Sequence, residues 1–312
     1  MTDQQTQPTE SEPQQAGAGV VETGAQREAS LWGDAWRQLR RNPLFIGSAL
    51  VVVLFVIMAV APSAYTWFYP GESNPRTCSL SNSVGRPSAT NWFGFDIQGC
   101  DYYANVVHGA RVSVIIGVAT AVLAGGIAVV FGAIAGYYGG RIDTVISRIT
   151  DVWFAIPTVL GAIAILNSLG QRGLPEVTMV LVLFTWMTML RLMRSATIER
   201  RDAAFVDAAR ALGANDGRII TKHILPNAIA PVIVYGTIFI GIVISVEATL
   251  SFLGVGLQLP AISWGLMINS SVNRILQAPH LLLFPGLFLS LLALAFIVMG
   301  DALRDALDPR LR

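Results

Sequence analysis

The sequence is short of charge and of the residues from which metal and catalytic sites are built. Charged residues make up 13% of its 312 positions, about half the usual share of a soluble domain, and hydrophobic residues make up 53%. Its 2 cysteines and 3 histidines are too few and too scattered for a zinc centre, so we expect no metal site. A net charge of +1 disfavours a nucleic acid partner. These shortages exclude disordered and disulfide-dense secreted chains, and they indicate a protein whose solvent is largely lipid.

Motifs for ATP binding and for hydrolysis are also absent. The single lysine, Lys222, has no glycine-rich loop before it, so the chain cannot hold ATP phosphates in a Walker A loop. Neither His-Glu-x-x-His nor Gly-x-Ser-x-Gly occurs, and we expect no catalytic residue. Few carboxylates fall in apolar segments, which disfavours a stand-alone secondary carrier driven by protons.

The N-terminal segment differs from the rest of the chain. Residues 1–30 contain no aromatic side chain, which predicts a disordered cytoplasmic tail rather than a signal peptide. Residues 31–43 then place apolar side chains on one helical face and arginines elsewhere, which predicts a short amphipathic helix at the membrane surface. The alternative is a basic flank that only orients the first span. The residues of this pattern are Leu31, Trp32, Ala35, Trp36, Arg37, Leu39, Arg40 and Arg41.

Six apolar segments approach the length of about 20 residues that a membrane helix needs. They predict a first span, an extracytoplasmic loop at 67–111, and a core domain at 112–312 that contains the other five spans. The third span includes Asp151 and Pro157, and we expect Pro157 to kink it. The expected spans are 44–66, 112–136, 146–168, 175–193, 227–250 and 281–300, with connecting segments at 197–226 and 251–280.

Arginine placement predicts the orientation of these spans. Most arginines flank the spans on the side of the N-terminus, so the positive-inside rule predicts that both chain ends are cytoplasmic. Cys78 and Cys100 then fall in the first outer loop, where oxidising conditions permit a disulfide. Closing that loop would stabilise it by about 3 kcal/mol. Two free thiols are the alternative.

The segment between the fourth and fifth spans predicts a docking element. Asp202 to Leu212 has the composition of a short, thin helix, and Gly213 is expected to stop it in the left-handed conformation. Asp216 is expected to cap a second short helix, which Pro226 ends as the next span begins. Small residues on such a helix let the backbone of another protein approach closely, and the alternative is an ordinary helical loop.

Several motifs of this chain resemble those of one transporter family. Asp207-Ala-Ala-Arg-Ala-Leu-Gly213, followed after nine residues by His223-Ile-Leu-Pro226, is similar to the EAA loop of ABC importer permeases, with Asp in place of Glu. The ending from Gly300 to Arg312 resembles that of the dipeptide/oligopeptide (peptide/nickel) branch. Further matching elements are 93–101, where Cys100 replaces an arginine of the family, and 136–143, 247–256 and 263–265.

The resemblance implies an all-α membrane protein with six transmembrane helices, the type I ABC importer permease fold and cytoplasmic termini. It implies one half of a pathway for di- or oligopeptides in a bacterial cytoplasmic membrane. The implied partners are a second homologous permease, two cytoplasmic ATPase domains that bind ATP and Mg, and an extracytoplasmic solute-binding protein or lipoprotein. Nickel chelates or other small solutes are alternative cargoes. The residues implied to contact an ATPase are Ala203, Phe205, Val206, Asp207, Ala208, Ala209, Arg210, Ala211, Leu212, Gly213, Ala214 and Asp216.

Three residues are candidates for a pathway or gate. Glu247 lies near the outer end of the fifth span, and the alternative is a carboxylate that bonds nearby loop amides. Asp151 either faces the pathway or pairs with Arg148 one turn away. Pro157 either gates the pathway or only bends its helix.

Overall fold

The computed structural model describes residues 31–308. Helices make up most of this part of the chain, and it contains no β-strand. The predicted tail at 1–30 and the last four residues lie outside the described residues. The helices are α1 Leu31–Leu39, α2 Pro43–Val60, α3 Ser63–Thr66, α4 Tyr102–Tyr138, α5 Gly140–Phe154, α6 Thr158–Ser168, α7 Leu174–Arg201, α8 Ala204–Ala211, α9 Asp216–Arg218, α10 Leu225–Ala228, α11 Ala230–Phe252, α12 Trp264–Ser271 and α13 His280–Leu307.

Five helices within 31–308 are long and apolar enough to cross a membrane, namely α2, α4, α7, α11 and α13. The predicted third span is divided into α5 and α6, which meet at an angle of 81°. Proline at position 157 has no backbone N–H and disfavours helical geometry in Ile156, so the chain cannot continue α5 through this point. The expected kink is therefore a break, and the count is six spans only if this bent pair is one of them.

The second span begins ten residues earlier than expected, at Tyr102 rather than 112. Asp101 caps α4 by accepting a hydrogen bond from the Ala104 backbone N–H at 3.0 Å. The first turns of α4 are not strongly apolar, but they are buried against α2, α12 and α13. Protein rather than lipid surrounds this extension, and for that reason its hydropathy does not identify it. The loop predicted at 67–111 thus ends at Asp101.

Close helix packing organises the bundle. A Cβ atom at Gly136 would lie 2.7 Å from the Arg194 carbonyl oxygen of α7, and one at Gly241 would lie 2.5 Å from the Ala293 carbonyl oxygen of α13. These pairs of helices therefore meet backbone to backbone, and a side chain there would push them apart. Gly126, in contrast, has open space around the position of a Cβ atom.

The short helix α1 packs on the protein. Ala35 and Leu39 are buried against Ala306 of α13, so this part of the predicted apolar face is covered by protein rather than by lipid. The side chains of Leu31 and Trp32 lie outside the described part. Trp36 is 49% exposed, and the Arg40 guanidinium lies 4.7 Å from its ring centroid. A location of α1 at the membrane surface remains a prediction.

The long helices give the molecule two distinct ends. One carries α8, α9 and the end of α4, where the Tyr137 hydroxyl donates to Asp216 at 2.8 Å; we call it the α8 end. The other carries residues 67–101 and α12, where the Trp264 indole N–H donates to the Val106 carbonyl at 2.9 Å; we call it the disulfide end. Helix α4 runs from one end to the other.

Candidate functional site

Helix α8 is held at the α8 end by a narrow buried face. Val206 is fully buried and Ala209 nearly so. The helix starts at Ala204, two residues after the predicted start, because Ala203 adopts the extended backbone of an N-cap. The predicted coupling residues Asp207, Ala208, Arg210 and Ala211 are all exposed. The remaining surface of α8 is thus free to meet another protein.

Gly213 ends this helix as the sequence predicts. Its φ is +81°, the left-handed region that favours glycine. The Gly213 N–H donates to the Arg210 carbonyl at 2.9 Å, and the Ala214 N–H donates to the Ala209 carbonyl at 3.0 Å. These bonds satisfy two carbonyls at the end of the helix. A Cβ atom at Gly213 would meet nothing within 4 Å, so the backbone conformation alone requires glycine.

The prediction that Asp216 caps the second short helix is wrong. Asn215 is the cap, because its side-chain oxygen accepts from the Arg218 N–H at 2.9 Å. Asp216 is the first residue of α9 and instead accepts from the Tyr137 hydroxyl of α4. Asn and Asp cap helices equally well, so the sequence does not distinguish the two neighbours. The carboxylate is then available to tie α9 to α4.

The chain leads from α9 to α11 almost without interruption. Residues 219–224 form a π-helical turn with Ile219 and Ile224 buried. Pro226 lies in the first turn of α10 rather than ending the preceding helix, a position where its missing N–H costs nothing. On the other side, Arg201 at the end of α7 donates to the Gly136 carbonyl at 3.2 Å. A displacement of α8 would therefore reach α7, α4 and α11 through short connections.

Two apolar side chains are exposed on α8 and at its C-terminal end. Phe205 is 40% exposed and Leu212 is 88% exposed. Between them the helix surface consists mostly of alanine and one ion pair, Arg210–Asp207 at 3.1 Å with both side chains half exposed. A thin helix with protruding apolar residues suits a concave apolar groove on a partner.

At the disulfide end, Cys78 and Cys100 are joined in a disulfide across a separation of 22 residues. The Asp96 carboxylate accepts hydrogen bonds from the backbone N–H groups of Gln98 and Cys100, each at 2.8 Å. Burial raises the pKa of the Asp96 carboxyl, and these N–H groups offset part of that rise. The loop is therefore a folded structure of its own.

Sequence reasoning missed the residue that anchors this loop. Asp101 is fully buried, and besides capping α4 it accepts from the Asn91 side-chain N–H at 2.7 Å and from the Tyr69 hydroxyl. Burial, followed by the bond to Asp101, raises the pKa of Tyr69. The available signal was an aspartate directly before a helical aromatic pair, Tyr102-Tyr103, which is an N-cap pattern.

Glu247 is fully buried in α11. Its Oε1 accepts hydrogen bonds from the Ser251 hydroxyl at 2.8 Å and the Ser263 hydroxyl at 3.3 Å. These hydroxyls in turn accept from the backbone N–H groups of Leu257 and Leu266. Each serine stands between the carboxylate and a backbone amide, so the link from Glu247 to these amides is indirect. Glu247 joins α11, its following loop and the start of α12.

Asp151 pairs chiefly with a residue that the sequence analysis did not consider. Arg191 of α7 donates to Asp151 at 2.8 Å, and the expected ion pair with Arg148 also forms, at the longer distance of 3.8 Å. The spacing of Arg148 and Asp151 is visible in one helix, but the contact with Arg191 depends on how α5 packs against α7. The break at Pro157 lies one turn beyond Phe154, whose ring is 4.0 Å from the Arg191 guanidinium carbon.

Comparisons with known proteins agree with this architecture. Residues 128–312 match the family described as binding-protein-dependent transport system inner membrane component. Residues 30–78 match the N-terminal transmembrane domain of oligopeptide transport permease C.

Individual relatives cover nearly the whole chain. It is 40% identical over 283 residues to the dipeptide transport system permease protein DppC of Alkalihalophilus pseudofirmus, covering 91% of each chain. It is 37% identical over 302 residues to the oligopeptide transport system permease protein OppC of Bacillus subtilis, covering 96% of this chain and 97% of the relative. A glutathione transport system permease protein GsiD of Pectobacterium atrosepticum is 35% identical over 281 residues, 90% of this chain and 92% of the relative.

Among solved structures, the fold is similar to a chain of the MetNI methionine ABC transporter in an inward-facing conformation. The TM-score is 0.54 at 17% sequence identity, and the match covers 65% of this chain and 96% of that chain. At this identity the likeness concerns the fold alone.

Proposed function

Since the chain belongs to the family of binding-protein-dependent transport system inner membrane components, as a multi-pass permease subunit of a bacterial peptide ABC importer, we propose that α8 is the element through which ATP hydrolysis drives it. The proposal rests on one observation. Helix α8, with exposed apolar side chains, follows α7 directly and packs on the π-helical turn that leads to α11. The adjoining α9 bonds to α4 at the same end of the bundle.

In this assembly the chain supplies half of a pathway for di- or oligopeptides, and a second homologous permease supplies the other half. Two cytoplasmic ATPase domains bind ATP and Mg, and a solute-binding protein delivers the peptide at the disulfide end. The α8 end and both termini then face the cytoplasm. This orientation follows from the arginines on that side, and it leaves Cys78 and Cys100 in the compartment where disulfides form.

The α8 surface transmits force as a rigid body. When the ATPases close, a groove that holds Phe205 and Leu212 displaces α8, and the direct connections to α7 and α11 carry the displacement into the spans. Asp207, Ala208, Ala211 and Ala214 let the ATPase approach closely. Asp216 contributes from the other side, because its bond to Tyr137 makes α4 follow the same movement.

Two exposed leucines provide a matched test. Leu212 at the α8 end is 88% exposed, and Leu276 on the α12–α13 connection at the disulfide end is 96% exposed, so neither substitution disturbs the core. Leu212→Asp is expected to remove the ATPase from the detergent-purified complex and to abolish ATP-dependent peptide uptake by proteoliposomes. Leu276→Asp is expected to retain the ATPase.

Two results would contradict the proposal. Wild-type chain that co-purifies with no ATPase, while a known importer stays intact under the same conditions, would support a stand-alone carrier. An ATPase that is retained equally by both variants would place its docking surface elsewhere than α8.

A further inference from the structure

We propose that the break between α5 and α6 forms a peptide-contact site, in which an apolar cavity takes the C-terminal side chain of the transported peptide and Arg191 takes its carboxylate. This inference rests on the proposed function, because it concerns the peptide that passes through the same chain. Three features support it: a cavity beside the break, the Arg191 guanidinium next to that cavity, and an irregular backbone segment that lipid cannot surround.

The break lies at membrane depth. Trp153 donates its indole N–H to the Leu183 carbonyl at 2.6 Å, and Leu183 is about 14 Å along α7 from its start. Residues 155–157 are exposed and non-helical in this chain. Irregular backbone is tolerated in the hydrocarbon region only where it is buried in protein or lines a water-filled cavity. This face therefore does not meet lipid.

The ion pair beside the break supports the same conclusion. The side chains of Asp151 and Arg191 are 49% and 52% exposed, and Arg191 lies about 26 Å along α7 from its start, close to the inner end of the predicted span 175–193. Arg148 adds a third charge at 3.8 Å from Asp151. Water in a pathway accommodates such a cluster.

The cavity next to the break is preformed. It has a volume of about 230 Å³ and lies between the α5–α6 break, α7 and α11. Trp153 lines it, and the bond of its indole to the Leu183 carbonyl fixes this side chain against α7. Its lining is mostly apolar, with Phe184, Met187 and Val243 among the buried residues. It therefore suits an apolar side chain.

Polar groups are available at the mouth of the cavity. The hydroxyls of Thr158 and Thr188 line it and make no hydrogen bond to any residue within 31–308. Thr188 and Arg191 are three residues apart on α7, and thus share one helix face. Phe154 lines the cavity and also stacks under the Arg191 guanidinium. The cavity and the cation are therefore neighbours.

The C-terminal residue of a peptide carries a carboxylate and a side chain on one carbon. Arginine can bind carboxylates with two parallel N–H donors, and in this structure one terminal N–H of Arg191 donates to Asp151. An incoming peptide carboxylate would replace Asp151 on Arg191 while its side chain enters the cavity. This arrangement selects peptides with a free carboxylate and an apolar C-terminal residue.

Cysteine accessibility tests whether the face is aqueous. The only two cysteines of the sequence form the disulfide, so Thr188→Cys gives this chain a single free thiol, whose labelling is read on this chain after separation of the subunits. In the complete importer in proteoliposomes, a membrane-impermeant cationic thiosulfonate is expected to label Thr188→Cys, and a tripeptide ending in leucine is expected to slow labelling. Leu54→Cys, on the exposed apolar surface of α2, is the control and should not react.

Transport by variants tests the two contacts separately. Arg191→Gln is expected to lower uptake of the free tripeptide relative to its C-terminal amide by about tenfold, the effect of losing a charged hydrogen-bonded partner. Val243→Phe, which fills the cavity, is expected to lower uptake of a leucine-ending peptide relative to a glycine-ending one. Arg200→Gln, at the end of α7, should leave both ratios unchanged.

The outcomes separate this inference from the proposed function. If wild-type importer shows no ATP-dependent peptide uptake, the proposed function fails. If it transports peptide but Thr188→Cys stays unlabelled, or labelling is indifferent to peptide, the site inference alone fails. The same conclusion follows if Arg191→Gln lowers uptake of the free peptide and of the amide equally.

Discussion

Asp101 joins three parts of the chain through one buried carboxylate. It caps α4, binds the Asn91 side chain and accepts from the Tyr69 hydroxyl. Removing this carboxylate would leave all three donors without their acceptor. Both the start of α4 and the preceding loop would therefore be destabilised.

Replacing Asp101 by alanine is expected to destabilise the protein by about 3 kcal/mol, from the lost cap and the unpaired buried donors. Denaturant unfolding in detergent measures the effect. Asn74→Ala is the matched control, because Asn74 accepts from the Arg76 N–H at 3.0 Å on an exposed turn. Equal stability of the Asp101 and Asn74 variants would contradict the role assigned to Asp101.

Gly213→Val tests a backbone requirement. The left-handed conformation costs a β-branched residue about 1–2 kcal/mol, so the end of α8 is expected to change shape although the site has room for a side chain. Peptide uptake should fall strongly while membrane insertion, measured by fractionation, is retained. Gly170→Val, at a loop glycine with equally open surroundings and no positive φ, should keep its uptake.

Individual residues were predictable where their role is local. The stop at Gly213 follows from the sequence around it. Local spacing identified Arg148 as a partner of Asp151, but it did not identify the closer bond from Arg191. It also missed the bond of Asp216 to Tyr137 and that of Glu247 to Ser263, because these partners lie on another helix or beyond the next loop. Such contacts depend on helix packing, which local spacing does not contain.

At the scale of helices, glycine sets how closely α4 approaches α7. Gly132 would place a Cβ atom 2.8 Å from the Leu190 carbonyl oxygen, and Gly136 meets α7 in the same way one turn later. Gly126 belongs to the same helix but has open space on its side.

Gly136→Ala is expected to lower stability by about 1–3 kcal/mol, because α4 and α7 must separate. Gly126→Ala is expected to be neutral or to stabilise by up to about 1 kcal/mol, since alanine favours the helix. Thermal unfolding of the two variants in detergent gives the comparison. Similar losses in both variants would contradict the packing role assigned to Gly136, because only Gly136 has a neighbouring backbone that a Cβ atom would meet.

The existence of the helices was predictable, whereas some of their limits were not. Apolar runs identified α2, α7, α11 and α13 because lipid selects for hydropathy over about 20 residues. The start of α4 was missed because protein surrounds it, and the division of the third span exceeded the kink expected from Pro157. Hydropathy reports the solvent of a helix and not its tertiary contacts.

At the scale of the whole molecule, the disulfide between Cys78 and Cys100 closes the second part of the loop at the disulfide end. Closing a loop of this length stabilises a protein by about 3 kcal/mol in the chain-entropy model. Reduction is expected to lower the denaturant midpoint of the wild type by the corresponding amount. A Cys78→Ser/Cys100→Ser double variant should have the lower midpoint already and should not respond to reductant. A wild type whose midpoint ignores reductant would contradict the prediction.

Helix α4 has 37 residues and is about 55 Å long, well beyond the thickness of a bilayer. Asp101 fixes one of its ends, and Tyr137 holds Asp216 at the other. A solute-binding protein that tilts the first end and an ATPase that pulls on the second would therefore act on a single rod. In the proposed orientation, delivery of peptide on the outside and ATP hydrolysis on the inside would be coupled by one rigid helix, without a chain of successive rearrangements between them.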